Sequence, residues 1–311
     1  MKTYLGIDIG GTNIRYGLVT DEGKVLSDSH FSVFSERGLE AVLNDLTSHL
    51  TRFLDSLPED LKPEGVGVGA AGRILPEEGL IVSSPNLPGW KNVPLADHLQ
   101  KALDLEVRLE NDVNVYALGE WLAGAGQSRE NLVVLTLGTG VGGGLILNNR
   151  LWAGSFGTAA EIGHMVVEPD GPPCKCGSRG CLETYASATA MVSMAGEMIN
   201  GGRKCGYEGR LEHLTSVHLF DLAIEGDSLA LDIFSRAGTA IGITLTNVFN
   251  LLGLQGAIIG GGAGLTFEFL KPSIEKELTS RVFAVDYDQI FLARSTLGDM
   301  APLIGAPALF K

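Results

Sequence analysis

Three of the four cysteines, Cys174, Cys176 and Cys181, stand within eight residues of one another, and His164 lies ten residues before the first. Three soft thiolates and one imidazole form the donor set of a closed, tetrahedral zinc site. With every ligand position filled by protein, such a zinc is structural rather than catalytic. Gly177 and Gly180 let the backbone turn between ligands close in sequence. Disulfide pairing is the plainer alternative, but it leaves one of the three thiols over, and no secretory signal precedes them. Cys205 has no partner at ligand spacing and reads as an ordinary thiol. Two carboxylates flank the group, Glu161 before His164 and Glu183 after Cys181. A loop fixed by metal would hold both ready to accept hydrogen bonds from a polar ligand.

The second source of chemistry is glycine. The run Asp8-Ile9-Gly10-Gly11-Thr12-Asn13 separates a strand over Thr3–Asp8 from one over Ile14–Thr20, and Asp21-Glu22-Gly23 turns into a third over Lys24–Phe31. A glycine loop between antiparallel strands is not a Walker loop, and the Gly-x4-Gly-Lys-Ser/Thr pattern is absent. Such a hairpin still presents the Gly10 and Gly11 amides to phosphate. Thr12 and Asn13 add side-chain donors, and Asp8 is placed to hold Mg2+ through water. An ordinary tight turn is the competing account. The plan recurs: a strand over Leu132–Leu137, the run Gly138-Thr139-Gly140-Val141-Gly142-Gly143-Gly144, a strand over Leu145–Leu147, a turn at Asn148-Asn149 and a strand from Leu151. The repeat predicts a duplicated domain with two phosphate loops. Gly67-x-Gly69-x-x-Gly72 and Gly138-x-Gly140-x-x-Gly143 both spell the dinucleotide fingerprint. Both fail it, because Pro76 and Gly79 break the required helix in one case and a strand follows in the other. Gly260-Gly261-Gly262 follows a strand over Gly256–Ile259 and would admit a planar ligand, unless it is a plain strand-to-helix turn.

Asn111-Asp112 ends a strand begun at Leu105–Leu109, where ligands bind in open α/β sheets. A helix over Val113–Trp121 follows, so Asp112 also fits as its cap. Asn86 lies in the Ser83–Trp90 loop, where Asn between prolines is usually a turn residue. Helices are predicted over Leu39–Leu57, Pro94–Leu103, Ser187–Ile199 (capped by Ser187), Asp227–Leu252 and Met300–Phe310, and a last strand over Ala284–Arg294.

The chain of 311 residues is 45% hydrophobic, long enough for two domains with their own cores. A net charge of -14 with Lys and Arg scattered along the chain argues against a nucleic-acid partner. No apolar run is long enough to span a bilayer, and Met1-Lys2-Thr3 leads directly into a strand, so a cytoplasmic location and no membrane partner are expected.

Glu161-x-x-His164 followed by Cys174-x-Cys176-Gly177-x-x-Gly180-Cys181-x-Glu183 resembles the signature of the ROK family of sugar kinases and repressors. With the motifs from Asp8 to Gly262, the resemblance covers nearly the whole chain. It implies an α/β, two-domain actin-like ATPase (ribonuclease H-like) fold with a central cleft and a structural zinc site. The expected domains are residues 1–115 plus 299–311, where the final helix packs back, and 116–298. It implies ATP-dependent phosphorylation of a hexose with Mg2+. Asp112 would be the catalytic base, and Asn86, Asn111, Asp112, Glu161, His164 and Glu183 would hold the sugar. Gly10, Gly11, Thr12, Asn13, Gly138, Thr139, Gly140 and Gly142 would hold phosphates beside Asp8, and Gly260, Gly261 and Gly262 would lie near the adenosine. His164, Cys174, Cys176 and Cys181 would hold zinc. Ser84-Pro85-Asn86-Leu87-Pro88-Gly89-Trp90 and Ala160–Met165 are similar to ROK glucokinases. Kinases for N-acetylmannosamine, N-acetylglucosamine, fructose and allose share nearly all these residues. Gly69-Ala70-Ala71-Gly72 departs from the Gly-x-Pro-Gly of many relatives. The non-enzymatic alternative is a sugar-sensing ROK regulator, here without room for a DNA-binding module ahead of Asp8. A homodimer or homotetramer is expected.

Overall fold

The structure, a computed structural model, describes residues 1–84, 86–283 and 285–311. Strands β1 (Thr3–Ile9), β2 (Asn13–Thr20) and β3 (Val25–Ser32) open the chain as an antiparallel meander. Helix α1 (Leu39–Asp55) buries Val42, Leu46 and Leu50, a stripe at helical spacing. Strand β4 (Val66–Ala70) then pairs parallel to β1. Three short strands, β5 (Arg73–Leu75), β6 (Leu80–Ser83) and β7 (Lys91–Val93), make a separate antiparallel sheet that the sequence did not suggest. Three or four residues each are too few to show an alternating pattern. After α2 (Leu95–Leu103), strand β8 (Val107–Asn111) pairs parallel to β4, and α3 (Asp112–Ala123) follows.

The second half runs β9 (Leu132–Leu137), β10 (Val141–Leu147), β11 (Arg150–Leu151), α4 (Glu183–Ala186), α5 (Ala188–Asn200), α6 (Ser216–Ile224), α7 (Ser228–Leu252), β12 (Gly256–Gly260), α8 (Phe267–Arg281), β13 (Phe291–Arg294) and α9 (Ala301–Gly305). The first sheet has the order β3-β2-β1-β4-β8, and the second β11-β10-β9-β12-β13. Counted within each set the order is the same, third-second-first-fourth-fifth, so the internal repeat extends to topology. Asn148 and Asn149 both take positive φ, the two-residue turn that suits the β10–β11 hairpin.

Several predicted boundaries move. Strand β10 begins at Val141, four residues before Leu145, and Gly144 in it serves close packing: a Cβ there would meet the Ala117 Cβ at 2.6 Å. Strand β11 is only two residues long and leaves Trp152 exposed beyond it. The strand predicted over Ala284–Arg294 starts at Phe291; Ala284 lies outside the described residues, and Tyr287–Gln289 is a 3-10 turn. The terminal helix is α-helical only over Ala301–Gly305 and continues as a 3-10 helix over Ala306–Phe310, where Pro307 cannot donate to an α-helical ladder. Helix α8 carries Pro272 in its interior, which hides it from a sequence pattern.

Two compact units emerge, one of Met1–Glu130, Gly144–Ala160 and Thr296–Lys311, the other of Asn131–Gly143 and Glu161–Ser295. In the first, Leu5, Ile7 and Ile9 alternate along β1 into a core shared with α1 and α2. The alternate positions face the C-terminal segment, where a Cβ on Gly6 would meet the Leu303 carbonyl at 2.6 Å. Phe310 closes this layer by stacking on Tyr4 at 4.9 Å between ring centroids. Among the described residues, no helix is long and apolar enough to cross a membrane.

The C-terminal segment is tied down by one buried acid. Glu120 of α3 is fully buried and accepts from the backbone N–H groups of Ala125 (2.9 Å), Thr296 (3.3 Å) and Leu297 (2.9 Å). Glu120→Ala leaves those donors without their acceptor, and we expect a loss of about 3 kcal/mol in urea unfolding. A loss below about 1 kcal/mol would show that the segment is held by apolar packing instead.

Candidate functional site

In the first unit, parallel pairing places Asp8 opposite Gly69 and Ala70 opposite Asn111. Strands β1, β4 and β8 therefore deliver their C-terminal residues to one sheet edge, where open parallel sheets bind ligands. The helix cap at that edge is Asn111, not Asp112. Asn111 has extended backbone, its side-chain oxygen accepts from Val113 N–H (2.9 Å) and Asn114 N–H (3.3 Å), and its amide donates to the Gly72 carbonyl at 3.2 Å. Asp112 is thereby the first helical residue, relieved of capping. Buried Glu110 supports the turn by accepting from Asn111 N–H at 2.7 Å and from the Asn114 amide at 3.0 Å.

The electrostatics of this edge are strained. Burial pushes Asp112 above the ordinary carboxylate range, opposed by hydrogen bonds from the backbone of Val113 and Asp112 and from the Asn111 side chain. Asp8 is pushed up to about 7, first by burial and then by the charge of Asp112; Arg15 opposes this and Asp299 adds to it. Arg15 sits directly across from Asp8 in the β1–β2 pairing. Neither Arg15 nor Asp299 was picked out from sequence. Arg15 was findable from the hairpin register, but nothing local marks Asp299. The first glycine loop closes with Gly10 N–H donating to the Asn13 carbonyl at 3.0 Å, leaving the Thr12 and Asn13 residues exposed. A Cβ on Gly11 would meet the Asn86 carbonyl at 2.8 Å, so this loop and Asn86 are neighbours. Ser84, also missed, has a buried hydroxyl without a hydrogen-bond partner among the described residues.

In the second unit, His164, Cys174, Cys176 and Cys181 present donor atoms all within 4.8 Å of one another. The Cys174 Sγ to His164 Nδ1 distance and the Cys176 to Cys181 Sγ distance are both 3.7 Å. Bonds of ~2.3 Å from sulfur to zinc give a tetrahedral edge of about 3.8 Å, so the spacing fits that ion. Burial, with the Cys174 and Cys176 thiols beside it, pushes Cys181 up to about 12, and a bound cation would act in the opposite direction by favouring the thiolate. The loop is shaped for this. Gly180 takes φ +61°, and a Cβ there would collide with the Glu168 carbonyl. With Nδ1 turned to Cys174, the other ring nitrogen of exposed His164 is left for a ligand.

Glu161 is exposed at the start of the 3-10 turn Ile162–His164. The Glu183 carboxylate accepts from Val141 N–H at 3.0 Å and lies against Gly140. Gly138 N–H donates to the Gly140 carbonyl at 3.0 Å, closing the second loop as the first is closed, while Gly142 already belongs to β10. Gly260 ends β12, Gly262 opens a 3-10 turn, and a Cβ on Gly261 would meet the Leu137 carbonyl at 2.6 Å. The glycines after β12 thus stand beside the strand end that feeds the second loop.

A family model described as "ROK family" matches residues 4–311. A glucokinase of Thermotoga maritima is 36% identical over 310 residues, 99% of this chain and 96% of that protein. Among solved structures, a ROK family glucokinase from Streptomyces griseus in complex with glucose and AMPPNP has a TM-score of 0.80 at 32% identity, covering 99% of this chain and 98% of that one. A ROK family transcriptional regulator, a homologue of the E. coli MLC protein, has a TM-score of 0.88 at 27% identity, covering 99% of this chain and 77% of that one.

Two measurements follow from the geometry. Protein purified without chelator is expected to carry one zinc per chain by atomic emission. Cys176→Ser should abolish it and lower the melting temperature; a metal-free protein of undiminished stability would exclude the site. The second concerns pH. Folding raises Asp8 from about 4 to about 7, so the folded state binds the proton more tightly than the unfolded one. That contribution is complete below about pH 4 and is lost as pH rises through about 7. Without nucleotide and Mg2+, the protein should lose stability across this window, and Asp8→Asn should flatten the profile. An unchanged profile would show that Asp8 titrates normally.

Proposed function

The chain belongs to the ROK family, and we propose that within it this protein is an ATP-dependent hexose kinase with glucose as its preferred acceptor. The observation that carries this is the division of labour at Asn111-Asp112. Asn111 takes the helix cap, and Asp112, with its pKa raised by burial, is left for proton transfer beside Asp8. A carboxylate held above its ordinary range is better matched to removal of a hydroxyl proton.

In this proposal Asp112 orients the attacking sugar hydroxyl and accepts its proton. Asn86, Asn111, Glu161, His164 and Glu183 supply acceptors and donors for the remaining hydroxyls. A sugar lacking one hydroxyl would then leave a buried polar group unpaired. Gly10, Gly11, Thr12 and Asn13, with Gly138, Thr139, Gly140 and Gly142, hold the phosphates, and Gly260, Gly261 and Gly262 flank the adenosine. Mg2+ bound with ATP neutralises charge on the transferring group, and Asp8 is the residue that would hold it through water. Zinc at His164 and the three cysteines is structural and fixes His164 and Glu183. A sugar-sensing regulator is the second reading, supported by the likeness to a transcriptional regulator of the same fold. The glucokinase likeness favours the kinase, at 36% identity over 96% of that protein against 27% identity and 77% of the regulator's chain.

The test is ADP release with Mg-ATP across hexoses and N-acetylhexosamines. We expect turnover to be strongest on glucose. Asp112→Asn should lower kcat by roughly 10²–10⁴-fold with little change in KM for the sugar. The acid limb of the wild-type kcat profile should lie above the ordinary carboxylate range. Strongest turnover on an N-acetylhexosamine or on another hexose would reassign the acceptor. No turnover on any sugar by folded, metal-loaded protein would overturn the kinase in favour of the sensor.

A further inference from the structure

The second glycine loop is anchored through both of its polar faces. Ala188 N–H donates to the Gly138 carbonyl at 2.8 Å, and the Thr189 hydroxyl donates to the Thr139 carbonyl at 2.9 Å. These bonds hold carbonyls. Among the described residues, the loop amide held by a side chain is that of Val141, which donates to the Glu183 carboxylate at 3.0 Å. The same carboxylate fills the place a Cβ on Gly140 would take. On its other side the Val141 carbonyl is packed so tightly against Gly163 that a side chain there would not fit.

Both grips on Val141 come from segments that carry cluster donors. Gly163 immediately precedes His164, and Glu183 follows Cys181 by two residues. A cavity of about 350 Å³ adjoins both, its lining including Thr139 of the loop, Cys174 of the cluster, Lys175, Glu183 and Thr184. Glu183 thus bridges from the cluster segment to the loop through its carboxylate. A carboxylate beside a phosphate loop would repel the nucleotide, so its presence there needs a reason, and the bond to Val141 supplies one.

We propose that Glu183 is a positioning residue of the nucleotide loop, an acceptor that fixes the Val141 amide from the segment carrying Cys181. This rests on the reading of Gly138–Val141 as a phosphate loop. It gives Glu183 a task separate from sugar binding, because what Val141 needs is an oxygen acceptor rather than a charge. Glutamine at this position still offers that oxygen; alanine does not.

Two readouts on zinc-loaded protein test this. Hydrogen exchange at the Val141 amide, followed by NMR, reports the bond without any nucleotide. Calorimetric titration with Mg-ADP in the absence of sugar reports its consequence. Glu183→Ala should lose most of the Val141 protection and weaken ADP binding roughly tenfold. Glu183→Gln should keep the protection and stay within about threefold of wild type in ADP affinity. Should the alanine variant fail to fold, Glu183→Asp, one methylene shorter, takes its place with the same expectation. Unchanged Val141 exchange in Glu183→Ala, or equal losses in the glutamine and alanine variants, would overturn the proposal. Wild-type protein that binds no ADP while Val141 is protected through Glu183 would instead overturn the nucleotide reading and leave the bond standing.

Discussion

Parallel register at β1, β4 and β8 is the constraint from which the acidic edge follows. Once Asp8 is opposite Gly69 and Ala70 opposite Asn111, the last residues of three strands arrive together. Two carboxylates are then held close in poorly solvated surroundings, where ionising both is costly. Arg15, placed across from Asp8 by the antiparallel hairpin, offsets part of that cost. Folding supplies the remainder through the apolar core of Leu5, Ile7 and Ile9 under α1 and α2. A site with raised carboxylates is thus a by-product of strand pairing, maintained by packing on the other face of the same sheet.

The second unit solves a different problem. Residues 161–183 contain little regular structure beyond one 3-10 turn and two isolated bridges, Val166 with Cys181 and Pro173 with Arg179. Glu161, His164 and Cys176 are exposed, so hydrophobic burial contributes little to holding them. Four donors converging within 4.8 Å would, with zinc bound as proposed, be a short-range substitute for a core. The same segment reaches outward through Gly163 and Glu183 to Val141, and so to the loop that follows β9. A loop rich in glycine has high conformational entropy to lose and needs such external anchors.

Much of this was legible in the residues. The cysteine and histidine spacing, both glycine runs and the strand-end carboxylate are local patterns, and local chemistry explains them: ligand softness, the absence of a Cβ, and the polarity of a strand terminus. The internal repeat could be seen because both halves use the same strand, loop, strand, turn order. Strands β5, β6 and β7 were not legible, being too short for periodicity, and α8 was masked by Pro272.

Composition and spacing could nominate Asn111 and Asp112 together, but they could not tell which of the two caps α3. That assignment depends on which side chain meets the first amides of α3, a matter of backbone angle at a single residue. Nor could they bring Asp299 to Asp8, or Glu183 to Val141. Such pairs are distant in sequence, and their proximity is set by how sheets and helices pack. Residue types and short spacings are inherited directly from the chain. The partner of a carboxylate, and with it the pKa and the task of that carboxylate, is a property of the folded arrangement alone.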